Sequence, residues 1–213
     1  MPSVRRYLIG ACAIGFALLV ADAGPSARQP DASQIRAVLA RLKIVPRLGD
    51  RVYTITAQSM EATLRCSRPE IGCTGAESDR VLGRPYSTGK HPARDDLIAF
   101  RIPRHASTQC GAPVGSTFIK RVVGMPGDRV TIRQINGSTA RVVVAGRDFG
   151  RRYHEGYIGD KEAFRVPRGR YFVVGDNPSM SCDSLVFGAV LERNVVTKIV
   201  AIYWPPERAR RLA

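Results

Sequence analysis

From Arg51 onward the chain is written in short runs of β-branched and aromatic residues, each closed by turn formers. They are RVYTITA (51–57), DLIAFRI (96–102), TFIKRVVG (117–124), RVTIRQ (129–134), ARVVVA (140–145), YFVVGD (171–176) and TKIVAIYW (197–204). Alternating runs of this length read as strands. No helical period of comparable length separates them, so βαβ crossovers are not expected and the strands should pair mainly antiparallel. Asn136-Gly137, between two of the runs, predicts a hairpin turn. With 213 residues, 44% of them hydrophobic, the chain suits one globular domain. The expected fold is mainly β, a single antiparallel domain over residues 51–206 with no internal repeat.

The N-terminus has a different grammar. Arg5 and Arg6 precede an apolar run from Tyr7 to Ala21, and Ala21-Asp22-Ala23 is a small-x-small sequence. Two readings stand: a cleaved secretory signal, or a membrane anchor over residues 1–23 whose run falls short of the ~20 residues of a spanning helix. Both export the rest of the chain, because positive charge stays on the cytoplasmic side. Residues 24–50 form a polar linker and then an amphipathic stretch, with Ile35, Val38, Leu39, Leu42 and Val45 at helical spacing. That stretch suits either a helix at the membrane surface or one packed on the domain. Residues 207–213 form a basic tail, for which anionic lipid headgroups are one partner to consider.

Export agrees with the cysteines. Cys12 lies in the apolar run, leaving Cys66, Cys73, Cys110 and Cys182. Cys66 and Cys73 bracket a Pro/Gly loop that one bridge closes, which favours Cys66–Cys73 and Cys110–Cys182. The spacing is not that of a zinc site, and His91, His105 and His154 are isolated in polar stretches as solvated side chains, so no metal is expected. The net charge of +15 is dispersed rather than gathered in a Lys/Arg block. Together with export, this argues against nucleic acid as a partner.

Three stretches carry chemistry. In TFIKRVVG, strand alternation puts Phe118, Lys120 and Val122 on one face and Ile119, Arg121 and Val123 on the other. Burial there disfavours the charged lysine, and lowering its pKa from ~10.4 to ~8 takes about 3 kcal/mol. A neutral lysine is a general base. Ser59, flanked by Gln58 and Met60 at the end of the first run, offers a hydroxyl for it to deprotonate. The third stretch, GDNPSMSCDS (175–184), brings Asp176, Ser181 and Asp183, polar groups able to orient a lysine and an arginine.

These stretches resemble the boxes of the bacterial type I signal peptidases, membrane-anchored serine proteases with a Ser/Lys dyad. The family's Ser-Met-x-Pro-Thr-Leu is matched by SMEATL (59–64), and its Arg-Gly-Asp-Ile-Val-Val-Phe strand by RDDLIAF (94–100). Its lysine box is matched by IKRVVGMPGD (119–128), and its last box, Gly-Asp-Asn-Arg-x-x-Ser-x-Asp-Ser-Arg, by GDNPSMSCDSL (175–185). The resemblance implies Ser59 as nucleophile and Lys120 as general base, with Ser181 orienting the amine. Arg121 and Asp176 become a structural pair with Asp183 near by, and Gln58 and Met60 lie in the substrate and oxyanion vicinity. It further implies an N-terminal transmembrane helix, an extracytoplasmic catalytic domain and no cofactor. The substrates would be secretory preproteins, whose signal peptides are cut after Ala-x-Ala. Four positions depart from the pattern: Ala57 where some members carry an oxyanion-hole serine, Ala62 for proline, and Pro178 and Leu185 for arginines. The departures keep two alternatives open, a catalytically impaired signal-peptide-binding relative and a peptidase dedicated to few substrates.

Overall fold

The structure, a computed structural model, describes residues 30–136, 139–153 and 163–212. The anchor expected over residues 1–23, His154 and Gly137 of the expected turn lie outside them. Among the described residues no helix is long and apolar enough to cross a membrane.

In chain order the elements are α1 (Ala32–Arg41), β1 (Arg51–Thr54), β2 (Arg80–Arg84), β3 (Leu97–Arg101), α2 (Arg104–Gln109), β4 (Thr117–Gly124) and β5 (Arg129–Asn136). They continue as β6 (Thr139–Val144), β7 (Arg147–Tyr153), β8 (Ala163–Arg165), β9 (Arg170–Val174), α3 (Ser184–Phe187), β10 (Val190–Leu191), β11 (Val195–Trp204) and β12 (Arg210–Arg211). Every pairing is antiparallel. The larger sheet runs β1-β2-β11-β3-β4-β9-β10, with β12 also on β11, and the smaller runs β7-β6-β5-β8. The expected mainly β fold is the observed one. β5 and β6 pair from Val130↔Val144 to Asn136↔Thr139, the hairpin expected from Asn136-Gly137.

The two sheets join where β4 passes into β5 through Met125-Pro126-Gly127-Asp128. The Asp128 carboxylate accepts from Met125 N at 2.6 Å and from Arg94 at 2.7 Å, and Gly127 takes φ 90°. Gly124 lies at the corner, where a Cβ would come within 2.7 Å of Phe172 Cβ, so only glycine allows the approach. Val123, Phe172 and Val174 of the larger sheet share one core with Val130, Ile132, Val142 and Val144 of the smaller.

α1 begins with a capping box: Asp31 accepts from the Ser33 and Gln34 amides, and the Gln34 side chain accepts from Asp31 N. It stops at Arg41, short of the expected Val45. Lys43 turns to φ 52°, and Pro46 holds the residue before it extended. Val38, Leu39 and Ile44, with Ile35 and Leu42 beside them, pack against Leu82, Ala201, Tyr203 and Trp204, so most of the apolar stripe lies on the domain, while Val45 is exposed. The tail folds back as well. β12 pairs with β11, Arg41 donates to Pro206 O at 2.7 Å, and Leu212 packs on the core beneath β1.

Candidate active site

The first run stops pairing at Thr54, earlier than its alternation suggests, and the chain enters a single 3-10 turn at Gln58–Met60. Ser59 sits on this turn rather than at a strand end. Met60 is its anchor, buried with Ile55, Leu64, Leu97 and Ile199. The Gln58 side-chain amide donates to Ile71 O, and Glu61 N closes on Gln58 O at 3.0 Å. Asn177 ties the turn to the last box, its backbone N donating to Ser59 O at 3.1 Å and its side chain to Gln58 O at 3.2 Å. Sequence alone assigns Asn177 no role of its own. Its position between Asp176 and a proline is the available signal.

Lys120 comes from the middle of β4, opposite Ile98 of β3. It is 3% exposed, and its Nζ donates to Ser59 Oγ at 2.6 Å while lying 5.2 Å from the centre of the Phe118 ring. Burial pushes its pKa down to about 8, against an opposing pull from the Asp183 and Asp176 carboxylates. At neutral pH an accessible share of the side chain is therefore unprotonated. Arg121, on the other face of the strand, grips Asp176 with two bonds of 2.9 and 2.7 Å and donates to Asp95 O at 2.9 Å. That bidentate pair raises the guanidinium pKa and fixes the start of the loop after β9.

Asp183 is fully buried at the start of α3. Its Oδ2 accepts from Ser181 Oγ at 2.7 Å and from Gly175 N at 2.9 Å, and its Oδ1 from Leu185 N at 3.1 Å. Asp183 is thus held by three hydrogen-bond donors. With its proton given to Asp183, the Ser181 hydroxyl presents only lone pairs to its other neighbours. A Cβ on Gly175 would lie 2.2 Å from Ser181 Oγ and 2.4 Å from Ser59 O, which measures how closely the last box approaches the Ser59 turn.

The segment after Ser59 is held from a distance. Arg208 pairs with the buried Asp79 at 2.6 and 2.8 Å, and Asp79 Oδ2 also accepts from Arg65 N at 2.8 Å. Arg210 donates to Thr63 O at 2.8 Å, and Arg208 reaches the same oxygen at 3.4 Å. The basic tail is therefore a clamp on residues 63–65, and it restrains the turn in which Ala62 replaces proline. Nothing in the sequence links these positions, which are 129 to 147 residues apart.

A cleft of about 380 Å³ opens at Ser59 and Lys120. It is lined by residues 54–57, Met60 and 116–119, together with Cys110, Met180 and Cys182. The structure pairs Cys66 with Cys73 and Cys110 with Cys182, at Cα separations of 5.2 and 5.7 Å. Among the described residues the group of candidate metal ligands, Glu61 with Cys66 and Cys73, has both its sulfurs in that disulfide. His91 and His105 are exposed. The first pairs with Glu192 and the second with Phe187 O at 3.0 Å, and neither lines the cleft.

Comparison with known proteins identifies the family. The family model described as signal peptidase, peptidase S26, matches residues 37–204. The chain is 30% identical over 201 residues to a signal peptidase I of Leptolyngbya laminosa, covering 89% of this chain and 90% of that one. It is 33% identical over 138 residues to a probable signal peptidase I-1 of Synechocystis, covering 62% and 65%. With the thylakoidal processing peptidase 1 of Arabidopsis thaliana it shares 31% identity over 135 residues, 62% of this chain and 38% of that one. The chain belongs to the signal peptidase family, peptidase S26, and is a serine peptidase.

Proposed function

We propose that the chain removes signal peptides from exported preproteins after Ala-x-Ala sites, with Ser59 as nucleophile and Lys120 as general base. The observation that carries this reading is the 2.6 Å contact between Lys120 Nζ and Ser59 Oγ, made by a lysine that is 3% exposed. Neutral Lys120 takes the Ser59 proton as the hydroxyl attacks the scissile carbonyl. The Ser59 N–H, in the first turn of a 3-10 helix and so without an intrahelical acceptor, donates to the oxyanion. The lysinium then protonates the leaving amine. Water activated by Lys120 frees the acyl group from Ser59. Ser181, its proton committed to Asp183, offers a lone pair that aligns the amine, while Arg121 and Asp176 act as structural support.

The substrate is extended and lies in the cleft, where Met60, Phe118 and Ile119 leave room for small side chains at P1 and P3. Residues 1–23 serve as a membrane anchor with the N-terminus cytoplasmic and the catalytic domain outside, so membrane lipid is the second partner. Two observations weigh against the impaired-relative reading: Asp183 accepts three hydrogen bonds without an arginine, and the turn bearing Ala62 is clamped by the tail.

The test is incubation of the full chain in detergent with a preprotein bearing an Ala-x-Ala site, beside Ser59→Ala and Lys120→Ala. Cleavage by the wild type alone is expected. Cleavage by all three, or by none when folding is verified, refutes the assignment.

A further inference from the structure

The two disulfides occupy unlike positions. Cys66 and Cys73 are buried in the core beneath the nucleophile turn. Cys110 and Cys182 are partly exposed and line the cleft. Cys182 also stands between Ser181 and Asp183 in the chain; Asp183 is one of the two carboxylates that act on Lys120, and Ser181 donates to that carboxylate. That box is anchored inward, through Asn177 to the nucleophile turn and through Asp183 to Gly175 and Ser181. Its outer side carries Pro178 and the exposed Met180, whose N–H bonds only back to Asn177 O at 3.3 Å. Among the described residues Asp183 is in no salt bridge, so no guanidinium braces it from outside. The covalent tie is to Cys110, at the end of α2, which is itself fastened to α3 by His105 and Phe187 O.

We propose that the Cys110–Cys182 disulfide is a positioning element of the peptidase site: it holds Ser181 and Asp183 against Lys120, and a thiol reductant that opens it disables cleavage while the fold persists. The inference rests on the dyad reading above. The chemistry is thiol–disulfide exchange, in which a dithiol such as dithiothreitol delivers two electrons and two protons, leaving two cysteine thiols and an oxidised, cyclic reductant. The cleft-facing bridge is open to attack, whereas the buried Cys66–Cys73 bridge is shielded. Once the bridge opens, the 175–183 segment lifts outward and water reaches the amine. Beside Ser59 and Phe118, the amine is acted on by burial, the largest influence, which lowers its pKa, and by Asp183 and Asp176, which raise it; water entering the opened segment relieves the first, so the pKa rises.

The experiment compares oxidised enzyme, dithiothreitol-treated enzyme and a Cys110→Ala/Cys182→Ala pair on one preprotein. Free thiols are alkylated and located by mass spectrometry, and folding is followed by circular dichroism. Selective labelling of Cys110 and Cys182 is expected, with kcat at least tenfold lower and KM changed less. The acid limb of the pH–rate profile should move toward higher pH, and reoxidation should restore only the wild type. Equal kcat and an unmoved limb after verified opening of the bridge overturn the proposal. So does unfolding of both the reduced enzyme and the paired variant, which makes the bridge a fold element. Failure of the oxidised wild type to cleave, or cleavage by Ser59→Ala, overturns the dyad reading and this inference with it.

Discussion

The burial of Lys120 makes the pH dependence of cleavage a measurement of the site. An ordinary lysine titrates at 10.5, and this one is brought down to about 8. At pH 7 a base of pKa 8 is neutral roughly one-tenth of the time, and one of pKa 10.5 roughly once in three thousand, a ~300-fold difference in the reactive form. The perturbation is pH itself, varied from 6 to 9.5 with a detergent-solubilised enzyme and a preprotein substrate. Log kcat/KM should rise with unit slope to about pH 8 and then level off. Lys120→Arg should be inactive across the range, because a guanidinium has no accessible neutral form. A limb that keeps rising toward pH 10, or a rate independent of pH, would show that Lys120 is either solvated or not the base.

Stability and the neighbouring residues give further tests. Below about pH 8 the folded protein carries the cost of a buried ammonium. Between 8 and 10.5 it has shed the proton while the unfolded chain keeps it, so stability rises with pH over that window. Lys120→Met should abolish a rise of about 3 kcal/mol, read as the difference between urea titrations of wild type and variant. Arg208→Ala strands Asp79, which is fully buried, and should cost about 3–5 kcal/mol in urea, part of it recovered by adding Asp79→Asn. Gly175→Ala forces a methyl to within 2.2 Å of Ser181 Oγ and should lower kcat at least ~100-fold with a stability loss of about 1–3 kcal/mol. Ala57→Ser adds a hydroxyl at the cleft wall beside the nucleophile turn and should raise kcat about tenfold if it reaches the oxyanion.

What could be read from the sequence was local. β4 runs from Thr117 to Gly124 as its alternation requires, because the face with Lys120 and Val122 is buried from Lys120 onward. The boxes around Ser59, Lys120 and Ser181 were legible from residue order, and the structure brings Lys120 to Ser59. Other features depend on partners distant in the chain. β2 contains Gly83, a poor strand former, whose Cβ would lie 2.4 Å from Thr197 Oγ1, so glycine is demanded by packing that no window of sequence reveals. β7, with four charged residues and a glycine among its seven, has no alternation to read. Alternation carries the first run on to Ala57, but the chain leaves the ladder after Thr54, and Ile55 bonds to Asp79 O instead.

The position of β11 bears on how the protein is made. The longest strand among the described residues, it lies between β2 and β3 in the larger sheet, yet it is built from residues 195–204. The clamp on the nucleophile segment comes later still, from Arg208 and Arg210. Synthesis proceeds from the N-terminus, and pairings across so much sequence are slow to form. Ser59 and Lys120 are thus made long before the sheet that aligns them can close. On the proposed assignment, a chain still on the ribosome carries both members of the dyad without a working site, and cleavage has to wait until residues 195–210 are free to fold.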